Sequence, residues 1–321
     1  MNNSEKLWYL VIICLLIVTI LISFTLGASF ISPQEMISAF SGHHPNQNEI
    51  LLTIRAPRIL AALLCGAMLA VAGALSQSAF KNILADPSIL GITSAAELFV
   101  TFGGFLLPTF TGGKLIDALL GGAFALLFLT SRSVLKSPYK LIIVGVALML
   151  TFSGFQQLFS DGMAQTTTGS LNGITWSDTT GLLILGVSGM LIAVLVSPWA
   201  NYLKLSGVQL QTKGASPLLM RFSLLAVMVY LSAGTTAVVG IVPFVGIVVP
   251  NVARHLVGRD YTTLIPMSML LGAWLLLVVD TIGRIVVLPS ELSAATLMTV
   301  LGGPFLVVML QRRLSNGIKS S

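Results

Sequence analysis

The sequence predicts an all-α integral membrane protein of about ten transmembrane helices, and three observations carry that prediction. Apolar residues make up 55% of the 321 residues and charged ones only 9%, where a soluble domain carries about 25% charged residues. Apolar stretches of roughly 17–25 residues, the length that crosses a bilayer, recur along the whole chain, and the mean hydropathy is +0.95. Lysine and arginine gather at the ends of these stretches, as topology signals do.

Taken in order, the apolar windows place spans near 7–28, 56–80, 90–107, 115–135, 141–159, 181–199, 222–240, 241–256, 264–288 and 294–310. The first is longer than the roughly 7–15-residue apolar region of a secretory signal, so it is kept as a span. "FISPQEMISAF" (30–40) and "ITWSDTTG" (174–181) read as short elements outside the membrane. In "NILADPSILGITSAAE" (82–97), Asp86 stands as an N-cap and Pro87 at the first helical position of the third span. In the second span Gly66, Ala70, Gly73 and Ala74 form a small-residue face that lets helix backbones pack closely. The seventh and eighth spans form one apolar stretch broken at "VVGIVPFVG", where Gly240 and Pro243 permit a tight reversal. No linker divides the chain, so residues 1–321 read as one transmembrane domain.

Orientation follows from the loops. With ten spans and both termini on one side, that side holds thirteen cations: Lys6, Lys81, Arg132, Lys136, Lys140, Lys204, Lys213, Arg221, Arg254, Arg259, Arg312, Arg313 and Lys319. The other side keeps Arg55, Arg58, Lys114 and Arg284, with most of the acidic residues, among them Asp280 and Glu291. The thirteen-cation side is therefore cytoplasmic. Arg55, Arg58 and Arg284 are then conspicuous, being arginines at span ends on the face that otherwise avoids them.

Little in the chain supports catalysis. "GGKLID" (112–117) lacks the upstream glycine spacing and the Ser or Thr of a phosphate-binding loop, so no nucleotide is hydrolysed by this chain alone. His43, His44 and His255 are not spaced as metal ligands, and the adjacent pair reads as a solvated loop feature. Cys14 and Cys65 fall inside spans and read as small apolar residues. The net charge of +6 is dispersed among span ends, so a nucleic-acid surface is not implied. Glu97 is an intramembrane carboxylate and so a candidate for the transport path. Its place near a helix N-terminus, where the dipole and buried water ease it, favours a structural reading. The basic stretches 206–221 and 251–266 suit either partner contact or plain solvated loops.

Three stretches, in this order, resemble the FecCD family of permease subunits, which serve type II ABC importers of iron–siderophores, haem and cobalamin. They are "RAPRILAALLCGAMLAVAGALSQSAFKNILADPSILGITS", "FVGIVVPNVARHLVGRDYTTLIPMSMLLGA" and "ELSAATLMTVLGGPFLVVMLQRR". Ile83 stands where the family has proline, Asn251 where it has histidine, Tyr261-Thr262 where it has His-Arg, and Ser293 and Ala295 where it has Pro and Gly.

The resemblance implies a ten-helix, cobalamin-permease-like subunit in a bacterial cell membrane. Its partners would be a second FecCD-like permease, in a heterodimer given these departures, two cytoplasmic ATPase subunits and an extracellular substrate-binding protein. No cofactor or metal is expected in this chain; ATP and Mg belong to the ATPases. Arg55, Arg58 and Arg284 would dock the binding protein's carboxylates, guanidinium forks suiting that task. Interfacial snorkelling is the other reading of the same arginines. Coupling to the ATPases would fall to helices near 206–221, with Ser206, Leu210, Lys213, Gly214 and Arg221, and a cytoplasmic gate to Asn82 and Leu84. The length and divergent motifs lean toward a ferric siderophore as cargo, with haem or cobalamin as alternatives. An ion-coupled secondary transporter would need an intramembrane charge relay, and Glu97 without a cation partner supplies a poor one.

Overall fold

Inside a bilayer the backbone must satisfy its own polar groups, and for a single apolar stretch the helix does so. The computed structural model describes residues 3–27, 30–40, 48–106, 113–131, 134, 138–163, 169–205, 216–288 and 290–318. Among them stand eleven α-helices and no strand. They are α1 (Asn3–Thr25), α2 (Pro33–Phe40), α3 (Ala56–Ala79), α4 (Ile92–Leu106), α5 (Gly113–Leu129) and α6 (Pro138–Met163), followed by α7 (Trp176–Tyr202), α8 (Pro217–Val239), α9 (Val245–Val257), α10 (Tyr261–Gly283) and α11 (Ala294–Ile318). A π-helical turn, Ile50–Arg55, runs directly into α3. Apart from the short α2, these are the ten predicted spans. Six of them, α3 with its π-helical lead among them, are long and apolar enough to cross a membrane.

The helix α3 is the axis of the bundle: 89% of its most apolar window is buried, against 11% for α1 and 17% for α6. Its small-residue face explains how. A Cβ on Gly66 would stand 2.1 Å from the Gly272 carbonyl oxygen, and one on Gly73 2.1 Å from that of Gly246. The backbones of α10 and α9 therefore touch that of α3 where a side chain would fit between neither pair. The small-residue stripe read from the sequence is this seam.

The break between the seventh and eighth spans is real. Gly240 adopts φ +78°, and Phe244, at φ +68°, is left-handed without being glycine. Such a residue costs on the order of 1–3 kcal/mol and persists only where its surroundings hold it. Here its ring lies on Gly302 of α11, where a Cβ would come within 2.3 Å of Phe244 Cγ. The following α9 has 13 residues, roughly 20 Å at 1.5 Å per residue, and is too short to span alone.

Three boundaries differ from expectation. Asp86 does not cap α4: its Oδ1 accepts from the Ser88 backbone N–H at 2.8 Å, closing an Asx turn. Gly91, at φ +72°, then turns the chain before the helix starts at Ile92. "ITWSDTTG" is not a separate outside element but the start of α7, because Thr175 and Asp178 form a reciprocal capping box. The end of the 206–221 stretch is likewise helical: Ser216 caps α8 and Pro217 opens it. "FISPQEMISAF" does form its own short helix, α2, with Ser32 and Glu35 bonded to each other's backbone N–H.

Candidate functional site

Helices of alternating direction bring charged span ends together at the two ends of the bundle. At the end assigned outside, the arginines singled out in the sequence do meet. Arg58 of α3 holds Asp280 of α10 through a fork, Nη2 to Oδ1 at 2.9 Å and Nε to both carboxylate oxygens at 3.1 Å. Its Nη1 reaches Glu291 Oε2 at 2.8 Å. Arg284 places Nε 3.2 Å from Asp280 Oδ2, one helical turn on, and donates to the Ser23 hydroxyl and the Ser23 carbonyl. Arg55 donates to the Phe24 carbonyl. Three arginines and two carboxylates thus tie the outer ends of α1, α3 and α10 into one cluster.

The three arginines are buried, at 5%, 8% and 3% exposure for Arg55, Arg58 and Arg284. Their heads turn into the chain rather than lying along lipid or standing free on a rim. In the sequence Asp280 and Glu291 read as ordinary outside acids. The spacing of Asp280 and Arg284, four apart on one helix, was the signal that could have marked the pair.

At the opposite end α3, α9, α10 and α11, with the turns that follow α3 and α7, line a cavity of about 990 Å³. One wall is apolar, with Phe305, Val308 and Met309 of α11. The facing wall is amide and cation, with Gln77, Asn82, Asn251, Lys81, Arg254 and Tyr261 among its residues. Gln77 donates to the Gly246 carbonyl at 2.9 Å, and its Oε1 is buried without a hydrogen-bond partner among the described residues.

This wall is a hydrogen-bonded chain. Asn251 donates to the carbonyls of Ile83 (3.1 Å) and Ile247 (2.7 Å) and accepts from Arg254 Nη1 (3.1 Å). Arg254 Nη2 also lies 3.5 Å from the Tyr261 hydroxyl. Asn201 accepts from the Tyr261 backbone N–H (3.0 Å) and donates to Asp260 (2.6 Å). Lys204 lies over the Tyr261 ring, 4.8 Å from its centroid, and donates to Asn201 Oδ1 at 2.6 Å. The network joins the residues just before 206 to the loop that follows α3.

The predicted gate residues sit in that loop. Asn82 lines the cavity and its Oδ1 accepts from the Leu84 backbone N–H at 3.0 Å; Leu84 is half-buried. Of the predicted coupling residues, Ser206, Leu210, Lys213 and Gly214 lie outside the described residues, as do His43 and His44. Arg221 sits one turn into α8. Glu97 lies half-buried on α4, on the side where Ser94 and Thr101 bond Ser153 and Gln156 of α6. Among the described residues no group of three or more His, Cys, Asp or Glu is placed to hold a metal ion.

Electrostatically the inner wall is positive. Burial and then the neighbouring Arg221 charge push the Lys81 ammonium below its ordinary value. Burial does the same to Lys204, where the pull of Asp260 is opposed by Arg254 and Arg259. Sequence reasoning missed this wall, although Asn251 and Tyr261, both departures from the family pattern, are two of its central residues.

The comparisons with known proteins agree with the architecture. The FecCD transport family matches residues 15–312. The Staphylococcus aureus (strain MSSA476) protein named "Probable heme-iron transport system permease protein IsdF" is 33% identical over 319 residues, covering 99% of each chain. Its counterpart in strain Newman is also 33% identical over 319 residues. An inward-facing ABC transporter of metal-chelate type superposes with a TM-score of 0.84 at 27% identity, covering 96% of this chain and 99% of that one. PsaBC from Streptococcus pneumoniae in complex with Fab shares the fold alone, with a TM-score of 0.55 at 16% identity over 81% of this chain and 92% of its own. With these matches and, among the described residues, six long and three shorter apolar helices, the chain belongs to the FecCD transport family as a multi-pass ABC-transporter permease, and not to a family of enzymes.

Proposed function

We propose that this chain is the permease subunit of an ATP-driven importer that carries an iron chelate into the cytoplasm by alternating access. The match to the FecCD family over residues 15–312 carries the reading. The inner cavity supports it, because an opening at one end and a closed charged cluster at the other is what a carrier open to one side requires. Relatives named for haem iron, at 33% identity over nearly the whole chain, favour haem as cargo. A ferric siderophore, toward which length and motif divergence lean, is the second reading.

The rest of the assembly follows by the same inference. A second FecCD-like permease would complete the pathway, and two cytoplasmic ATPases would bind ATP and Mg and dock on the 206–221 stretch. Both termini would be cytoplasmic. An extracellular binding protein would deliver the chelate at the Arg55–Arg58–Arg284 end, which keeps one net positive charge after Asp280 and Glu291. Docking there means that the partner's carboxylates exchange with Glu291 for Arg58, or meet the positive field of the whole cluster. Motion from the ATPases would reach the Asn82–Leu84 loop through the Lys204–Asn201–Tyr261–Arg254–Asn251 chain.

The test is reconstitution of the permease pair with its ATPases in liposomes. ATP-dependent uptake of haemin or of a ferric siderophore is the expected result. Uptake that proceeds equally without ATPase subunits would refute the importer reading.

A further inference from the structure

The inner cavity has a chemistry that the transport reading does not by itself supply. Its volume of about 990 Å³ is at the upper end of the roughly 300–1,000 Å³ of small-molecule sites. Lys81, Lys204, Arg254, His255 and Arg259 line it, and no carboxylate does among the described residues. Asp260, which follows Arg259 of the lining, is occupied by the Thr262 backbone N–H, the Thr262 hydroxyl and the Asn201 amide.

The bonds that hold Lys81 and Arg254 go to neutral groups, and the pull of Asp260 on Lys204 is opposed by Arg254 and Arg259. Arg254 is fixed by a neutral amide and a phenol. Lys204 gives its protons to an amide oxygen and to the Arg259 carbonyl. Among the described residues Lys81 donates to the Leu205 carbonyl, at 3.5 Å. Neutral acceptors position a cation without cancelling its field, which a buried or half-buried ligand of opposite charge then feels at reduced dielectric. Across the cavity the α11 wall offers Phe305, Val308 and Met309 to an apolar surface.

We propose that this cavity is a selective exit site for an anionic chelate: an apolar face lies on Phe305, Val308 and Met309, and peripheral carboxylates or catecholate oxygens face Lys81, Arg254 and Arg259. The proposal rests on the importer reading and narrows its cargo by charge. Haem, with two carboxylates on a flat apolar ring, and a ferric tris-catecholate share this chemistry. A cationic or neutral chelate does not.

The test uses the assembled importer in nanodiscs with three probes: haemin, haemin dimethyl ester and a ferric tris-catecholate. Haemin or the tris-catecholate is expected to bind at least tenfold more tightly than the ester, with an affinity that falls as salt is raised. Which of the two binds identifies the source of the anionic groups. The double variant Lys81→Gln/Arg259→Gln is expected to weaken binding of the anionic probe at least fivefold. It should leave ester binding and co-purification of the ATPases unchanged, while Lys81→Arg retains wild-type affinity. Equal affinity for haemin, tris-catecholate and ester would overturn the proposal, and so would loss of the ATPases from the double variant, which would assign these cations to subunit docking. ATP-driven uptake measured in parallel separates the two readings. Uptake without charge preference removes the exit site alone, whereas absence of ATP-driven uptake for either chelate removes the importer reading.

Discussion

Arg58 and Asp280, 222 positions apart, are joined by a two-pronged pair of bonds at 2.9 and 3.1 Å that locks the outer end of α3 to that of α10. Asp280 is 2% exposed on its side chain and also faces Arg284 at 3.2 Å. One carboxylate therefore compensates two buried cations. Removing it leaves Arg284 without a carboxylate and Arg58 with Glu291 alone, and an uncompensated buried charge costs about 3–5 kcal/mol. Asp280→Asn is expected to lower the thermal midpoint of the purified permease by more than any other single change in the cluster. Arg58→Met combined with Asp280→Leu should recover part of that loss, as apolar replacements of buried pairs do. A midpoint unchanged in Asp280→Asn would show that the pairing contributes nothing.

The same geometry changes how docking is tested. Arg58→Glu would set a third carboxylate against Asp280 and Glu291, so a lost association with the delivery protein would confound docking with folding. Glu291 is the better probe, because it is 25% exposed on its side chain and touches only Arg58 among the ion pairs. Glu291→Gln removes the negative charge facing Arg58 Nη1 while leaving the Asp280 fork intact. It is expected to tighten binding of the delivery protein several-fold at low salt, with the gain disappearing in high salt. Weaker binding, or an unchanged affinity at all salt concentrations, would argue against carboxylate exchange at Arg58.

The Gly73–Gly246 contact yields a packing prediction. A Cβ at position 73 would lie 2.1 Å from the Gly246 carbonyl oxygen, whereas one at Gly154 would meet no atom within 4 Å. Gly73→Ala should destabilise the protein by about 1–3 kcal/mol through overpacking. Gly154→Ala should be neutral or slightly stabilising, since alanine is the better helix former. Detergent-denaturation curves of the two variants check this, and equal effects would mean that α3 and α9 part readily.

Much of this was legible in the sequence, and what was missed has a physical cause. Hydropathy located ten helices, six of them long and apolar enough to cross a membrane, because burial in lipid imposes one rule on every residue of a window. Gly240 and Pro243 marked the break because backbone geometry demands them. Asp86, by contrast, satisfies the composition of an N-cap, yet its carboxylate bonds Ser88 two residues on and faces the start of α9, a choice made by tertiary contact. The arginines were visible as charges on the wrong side, but their partners were not, because Asp280 and Glu291 are 222 and 233 positions from Arg58. The inner wall takes Gln77 from α3, Asn251 and Arg254 from α9 and Tyr261 from α10, with Lys81, Asn82 and Lys204 from the segments between, so no window of sequence contained it.

Asp260 supplies a pH prediction. The Thr262 backbone N–H, then its hydroxyl, the Asn201 amide and the Lys204 charge hold its carboxyl below the usual carboxylate range, against an opposing effect of burial. A depressed folded-state value means that ionised Asp260 stabilises the fold above the unfolded value of about 3.9. That contribution is lost as pH falls from there through the lower folded value. Asp260→Asn keeps a capping side chain for α10 but removes the charge. The wild type should therefore exceed Asp260→Asn in stability by a constant margin from neutral pH down to about pH 4, and the margin should close below it. A margin that persists unchanged at the lowest pH tolerated would assign the effect to the cap rather than to the charge.

The last prediction concerns Asn251, which joins α9 to the gate loop through the Ile83 carbonyl and steadies Arg254. A neutral histidine, the family's residue here, carries one N–H donor and cannot serve both the Ile83 and Ile247 carbonyls while also accepting from Arg254. The asparagine amide does all three. In Asn251→Leu the Ile83 carbonyl and the Arg254 guanidinium lose a partner in a largely buried place, a loss of about 1–3 kcal/mol per group. Because the link spans two elements that must move together, the loss should fall on coupling as well as on stability. Reconstituted Asn251→Leu importer is expected to hydrolyse ATP at a rate near wild type while its uptake per ATP drops several-fold, with Asn251→His intermediate. If ATP hydrolysis and uptake fall in proportion, Asn251 stabilises the fold without transmitting motion to the Asn82–Leu84 loop.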